Sequence, residues 1–129
     1  MEIPLRAALV DWLAQAPALA GQINSVTEEA PARAAIPWLA IAASASADWG
    51  VKERAGREVR VALELHCRGD RPDTAAALTS QIEQRIEAFP ASHAGFDIAS
   101  VRFLRARSEQ RAGNIRSILL EYRFRVLAA

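Results

Sequence analysis

The feature that most constrains the fold is a strict alternation of apolar and polar side chains between residues 58 and 67. Successive side chains of a β-strand point to opposite faces, so a period of two indicates a strand with one face on a core. That apolar face needs a second layer to cover it. The apolar set is Val59, Val61, Leu63, Leu65 and Cys67, and the other set is Glu58, Arg60, Ala62, Glu64 and His66.

Two segments have the period of an amphipathic helix. Pro4 suits the first turn of the first helix, which is expected to end before Pro17. The second is expected from about Asp73 to Phe89, because acids precede it and Pro90 breaks it. The apolar stripes are Leu5, Leu9, Trp12, Leu13 and Ala16 in the first helix, and Ala75, Leu78, Ile82, Ile86 and Phe89 in the second.

Three more segments are predicted to be strands. Residues 36–43 are apolar in both alternating sets, which is typical of a strand covered on both faces. Apolar residues from Ile98 to Leu104, followed by a polar tip at residues 108–114, predict the first half of a hairpin. The second half is expected to place Ile118, Leu120, Tyr122, Phe124 and Val126 on one side.

The connections between these elements complete the expected order. Residues 17–35 are read mostly as a loop with room for one short strand, and residues 48–56 as a long exposed hairpin loop. The order helix, two or three strands, helix, two strands predicts a single α+β domain over residues 1–129. Its mainly antiparallel sheet is expected to have four to five strands, with both helices on one face. Leu39, Ile41 and Leu119 are expected on the other face, where a neighbouring subunit would be a reasonable cover.

Composition narrows the functional classes. Sixteen basic and fifteen acidic side chains nearly cancel, so the whole chain has no field that steers it toward nucleic acid or a membrane. The basic residues concentrate after residue 100. Cys67 is the sole cysteine, which excludes an intrachain disulfide and suits a reducing cytoplasm. The longest uncharged run, residues 34–47, is shorter than the roughly 20 residues of a membrane helix, and no secretory signal is expected.

No residue pattern predicts catalysis, a cofactor or a metal. Phosphate-loop, dinucleotide and zinc-protease motifs are absent from the sequence. His66 and Cys67 are neighbours in a strand, so their side chains should point to opposite faces and not act together. His66 and His93 are both expected to be exposed, and Glu83 and Glu87 are read as a solvated helix face. We therefore expect a protein that is not an enzyme.

The order and character of these segments resemble the phage tail terminator, or tail completion, family, which includes the lambda-type terminators and those of gene transfer agents. Residues 35–42, Ala-Ile-Pro-Trp-Leu-Ala-Ile-Ala, are similar to the family's Pro-aromatic step into a strand. Residues 48–50 and the long strand at 57–68 follow its pattern, and residues 116–126 resemble its closing strand. The resemblance covers nearly the whole chain. One departure is Leu65-His66-Cys67, where the family favours a Trp.

The resemblance implies a structural virion protein. Its subunits would form a homohexameric ring that caps the head-proximal end of the tail tube and joins it to the neck, after assembly in the bacterial cytoplasm. The implied partners are further copies of the chain, the tail tube protein, the head-tail connector, and DNA that passes through the channel without sequence specificity.

Two charged segments are the expected contact regions, because neither supplies apolar residues to the core and loops on a rigid scaffold often bind partners. They are the loop at residues 48–57 and the hairpin at residues 105–116. Two alternatives remain open: a small α+β ligand-binding or enzymatic domain, and a nucleic-acid-binding module that uses the basic hairpin. The candidate interface or channel residues are Trp49, Lys52, Arg54, Arg57, Arg105, Arg107, Arg111 and Arg116.

Overall fold

Two long antiparallel strands form the centre of the protein. In a computed structural model that describes residues 1–31 and 33–129, β3 (Gly56–Arg68) pairs along its whole length with β6 (Ile115–Ala128). The strand predicted from strict alternation is therefore confirmed. The other elements are α1 (Glu2–Ala14), β1 (Ser25–Thr27), β2 (Trp38–Asp48), α2 (Pro72–Glu87), β4 (Ser92–His93) and β5 (Phe96–Arg111).

The strands form one sheet of six in the order β1-β2-β3-β6-β5-β4. β1 runs parallel to β2, and every other neighbouring pair is antiparallel. The α+β class and the mainly antiparallel sheet are confirmed, whereas the expected four to five strands were too few. β1 lies within residues 17–35 and is the one short strand that the sequence allowed there. β4 was missed because two residues are too short to show a period.

Both helices pack on the same face of the sheet. Leu5, Leu9 and Leu13 of α1 join Leu78, Ile82 and Ile86 of α2 in one buried cluster with the inward side chains of β3 and β6. Neither helix has the length and apolar character needed to cross a membrane, within the part of the chain that the structure describes.

The strand side chains that alternate with the buried ones form the opposite face of the sheet, which we call the open face. It includes Ala43, Ala45, Glu58, Arg60, Ala62, Arg102, Arg105, Arg107, Leu119, Glu121, Arg123 and Arg125.

A reciprocal contact joins the two helices. The indole Nε1 of Trp12 donates to the carbonyl of Arg85 at 2.6 Å, and Nε of Arg85 donates to the carbonyl of Trp12 at 2.9 Å. The guanidinium carbon of Arg85 also lies 3.3 Å from the centre of the Trp12 ring. Trp12 is half-buried, so it belongs to the edge of the core and fixes how α1 and α2 pack.

The expected position of Leu39 and Ile41 was wrong. Both are buried on the helix-covered face, where they lie opposite Leu65 and Leu63. The face could not be chosen from the sequence, because both alternating sets of this strand are apolar, and a β-bulge between Ile41 and Ala43 shifts the register. Leu119 does lie on the open face, as expected. Burial on both faces holds only from Trp38 to Ile41, and the rest of β2 is half-buried or exposed.

The predicted hairpin tip was too long. β5 continues to Arg111, so residues 108–111 are strand rather than loop. The turn occupies residues 112–114, where Gly113 has a φ of 77° and Asn114 a φ of 58°. These are the residue types that adopt left-handed backbone most easily, so they fix the end of the hairpin.

Candidate interaction surfaces

The loop between β2 and β3 is tied to the far edge of the sheet by Arg54. Its guanidinium donates to Asp97 Oδ2 and to the carbonyl of Ala128, both at 2.8 Å. The loop is also closed on itself by a β-bridge between Val51 and Arg54. Lys52 is exposed and forms no ion pair with any described residue, and Val51 beside it is 51% exposed. Arg54 therefore holds the loop against the sheet, and the surface of this loop that remains exposed is its tip.

Trp49 and Arg57 lie where this loop joins the strands, and neither is fully free. The guanidinium carbon of Arg125 is 5.2 Å from the centre of the Trp49 ring, within cation–π range. Arg57 donates to Ser46 Oγ at 3.0 Å. A side chain at Gly56 would place its Cβ 2.9 Å from the carbonyl oxygen of Trp49, so the backbone at this junction is too close for any other residue.

The hairpin arginines are less free than the sequence suggested, because each contacts an acceptor on the same molecule. The hydrogen bond from Arg105 lowers the pKa of Glu121, and the charges of Arg105, Arg60 and Arg107 add to that effect. Arg116 differs from the others, since it points to the helix-covered side. The contacts are Arg105 with Glu121, Arg107 and Arg111 with Glu109, and Arg116 with the carbonyl of Gly69 at 3.1 Å.

The β2–β3 loop and the hairpin turn lie at opposite ends of the sheet. Gly56, beside the β2–β3 loop, pairs with Leu127, whereas Arg68 pairs with Ile115 next to the hairpin turn. The 13 residues of β3 separate them, which at about 3.3 Å per residue is roughly 40 Å. The eight candidate residues therefore form no single site. Arg105 lies between the two ends, because it pairs with Glu121, which pairs with Ala62 in the middle of β3.

A row of three arginines on the open face was missed by the sequence analysis. Arg60 of β3 lies directly opposite Arg123 of β6, and Arg123 lies directly opposite Arg102 of β5. Arg123 contacts Glu58 at 3.5 Å, while Arg60 and Arg102 form no ion pair with the residues that the structure describes. We call these three residues the arginine row. The row depends on two registers, that of β5 with β6 in the hairpin and that of β3 with β6, and neither register follows from the spacing of the arginines alone.

The histidines are more buried than predicted. His66 stacks on Trp38, with ring centres 4.1 Å apart, and its side chain is 19% exposed. His93 lies between Phe89 and Phe96, with ring centres 4.6 and 4.7 Å away. Both act as flat packing surfaces.

Cys67 and His66 point to opposite sides of β3, as the sequence predicted. The Cys67 thiol is buried, which raises its pKa and favours the unreactive protonated form. Across residues 1–31 and 33–129, no group of three or more His, Cys, Asp or Glu side chains is placed to hold a metal ion.

Both the fold and the sequence of this chain are similar to those of known proteins. No curated protein matches the chain closely enough in sequence to count as a relative. Twenty-six chains of solved structures match it. One is from the virion of a native gene transfer agent particle, with a TM-score of 0.79 and 22% identity over 95% of this chain and 94% of that chain. The sequence profile of the family described as tail completion protein gp17 matches residues 7–127. The chain therefore belongs to the tail completion protein family.

Proposed function

We propose that this chain is a non-enzymatic structural subunit that forms a closed ring of six copies, caps the head-proximal end of a tail tube, and joins the tube to the neck. The observation that carries the proposal is the family match over residues 7–127. The similar fold of a chain in a gene transfer agent virion is in keeping with it. On this proposal the subunit assembles in the bacterial cytoplasm and remains in the finished particle.

The separation of the two charged surfaces supports a subunit with two different binding ends. The β2–β3 loop presents Lys52 and Val51 at one end of the sheet, and the hairpin presents Arg107 and Arg111 at the other. In a ring built from head-to-tail contacts, all copies point the same way, so its two faces can bind different partners. On this proposal, one end of the subunit binds the tail tube protein and the other binds the neck.

Free strand edges support contact between neighbouring subunits. β1 pairs only with residues 38–40 of β2, and β4 pairs only with residues 96 and 97 of β5. Beyond these residues, β2 and β5 each have one edge that pairs with no other strand among the described residues. Unpaired edges can accept a strand from another molecule. Because the β2 edge and the β5 edge differ, a contact between them would be head-to-tail, which is the type that closes a ring.

DNA that passes through such a ring requires weak contacts that ignore sequence. Arginines that line the channel would then act as a diffuse field, because each contacts phosphates rather than base edges. We therefore expect Arg107→Ala or Arg111→Ala alone to have little effect on DNA delivery.

The deciding experiment is assembly of particles without this chain. We expect tails of uncontrolled length, or tails that fail to join heads, when tails and heads are examined by electron microscopy. Restoring the wild-type chain should restore uniform joined tails, which controls for effects on neighbouring genes. Uniform tails joined to heads in the absence of the chain would refute the proposal. A ring with another number of subunits, counted by microscopy of assembled particles, would refute the hexamer alone.

A further inference from the structure

The arginine row is an unfavourable arrangement for the isolated chain. Like charges directly opposite each other on neighbouring strands destabilise a sheet, and here three occur side by side. Glu58 is the acid nearest to Arg123, and it is shared with Arg125 at 3.4 Å. Arg60 and Arg102 are exposed and form no ion pair within the described residues. The row therefore carries more positive charge than its own surroundings neutralise.

A concave trough begins at the same row. It has a volume of about 510 Å³, and its lining includes the small or apolar side chains of Ala43, Ala45, Ala62 and Leu104. Arg60 and Arg105 line it as well, together with Glu121. Glu121 is occupied by its contact with Arg105, so the unpaired cation at the trough is Arg60. Arg60 thus belongs both to the row and to a depression that another molecule can enter.

We propose that the arginine row and the adjoining trough bind an acidic segment of a partner protein, whose Asp or Glu carboxylates lie over Arg60 and Arg102. Arginine suits this role because its planar fork donates two parallel hydrogen bonds to one carboxylate. The apolar lining would accommodate the hydrocarbon part of the same segment. This inference rests on the proposed function, since the partner is another protein of the tail.

The pattern of charge on the open face favours a protein over DNA. Glu58 and Glu121 lie on the same face, in the cross-strand rows on either side of the arginine row. A phosphate backbone that follows the face would pass over these carboxylates and compete with them for Arg105, Arg123 and Arg125. A protein partner can place a single acidic side chain against each arginine and neutral or basic side chains against Glu58 and Glu121. Complementary patterning of this kind is how protein interfaces fix their register.

The test uses the isolated full chain and a fluorescently labelled short polyglutamate peptide, with binding measured by anisotropy at low salt. Arg60→Gln and Arg102→Gln should each weaken binding about tenfold, the effect of losing one charge-assisted contact. The matched control is Arg71→Gln, an exposed arginine at the start of α2 and away from the open face, which should change affinity by no more than about twofold.

Three results would overturn the inference. The first is a wild-type chain that does not bind the peptide, and the second is an equal loss for Arg71→Gln, which would mean that the peptide reads only net charge. The third is that a mixed-sequence DNA duplex binds the chain more tightly than the peptide does, and that Arg60→Gln and Arg102→Gln weaken this DNA binding. That result would mean that the arginine row binds DNA. These outcomes leave the particle assembly experiment untouched, and a failure in that experiment would leave peptide binding intact.

Discussion

Leu63→Ala tests the central packing of the sheet. Leu63 is 1% exposed and lies in the middle of β3, with Ile41 opposite it on β2 and Leu120 opposite it on β6. Both flanking strands are held by ladder hydrogen bonds, so the backbone cannot move in to fill the space that the deleted methyl groups leave. Leucine-to-alanine changes in protein cores lower the free energy of unfolding by about 2 to 5 kcal/mol, and by more where the cavity cannot collapse. We therefore expect Leu63→Ala to cost about 3 to 5 kcal/mol.

The matched control is Leu119→Ala, which deletes the same atoms from the neighbouring strand on the open face. Leu119 is half-buried between Glu64 and Arg107, so its loss should cost about 1 kcal/mol. Guanidinium unfolding followed by tryptophan fluorescence gives the change in the free energy of unfolding for both variants. The comparison requires that this free energy depends on guanidinium concentration with the same slope in each variant. The protein concentration must be one at which sedimentation shows a single species, because subunit association adds to apparent stability.

Equal losses for the two variants, or a larger loss for Leu119→Ala, would refute the reasoning. In a strand, a shift of the register by one residue moves every inward side chain outward. Such a result would mean that the face assigned to the core is the wrong one.

Three further predictions concern single side chains. Tyr122 is fully buried and its hydroxyl has no hydrogen-bond partner among the described residues, so Tyr122→Phe should keep the free energy of unfolding or raise it by about 1 kcal/mol; a fall of that size in a urea titration would reveal a partner. Arg85→Lys keeps the charge but loses the planar group over Trp12 and the Nε donor to the Trp12 carbonyl, so we expect a loss of about 1 to 2 kcal/mol, and wild-type stability would show that these two contacts contribute nothing. The hydrogen bond from Arg105 lowers the pKa of Glu121 from its ordinary 4.5, so its carboxylate stabilises the fold above that pH and the contribution is lost as the pH falls through the lowered value. Glu121→Gln should therefore lose less stability than the wild type on acidification, and identical pH profiles of the urea midpoint would contradict this.

The sequence predicted those elements whose period was unambiguous. β3 and β6 were found because only one of their alternating sets is apolar over most of their length, and the helices because their stripes recur every three to four residues. β2 was assigned the wrong face because its first residues are apolar in both sets. The end of β5 was taken for a loop because an edge strand with two solvated faces is polar throughout, and only Gly113 and Asn114 mark the true turn.

The candidate surfaces were predicted less well for a different reason. Composition located the charged segments, but not which arginines are occupied: Arg54 is bound to Asp97, and Arg105 to Glu121. These partners lie 43 and 16 positions away along the chain, and they become neighbours only through strand pairing. The arginine row depends on pairing across three strands; hydrophobic periodicity indicates the face of these side chains but not the register that aligns them.

The position of β6 has a consequence for synthesis of the protein. β6 follows all the other strands in the chain, yet it lies between β3 and β5, and it contributes Leu120, Tyr122, Phe124 and Val126 to the core. While the ribosome is still adding these residues, β3 lacks its main partner and the nascent chain cannot close its sheet. Pairing across such sequence separations is slow. Arg123 lies on β6, so the arginine row is complete only after β6 has paired with β3 and β5.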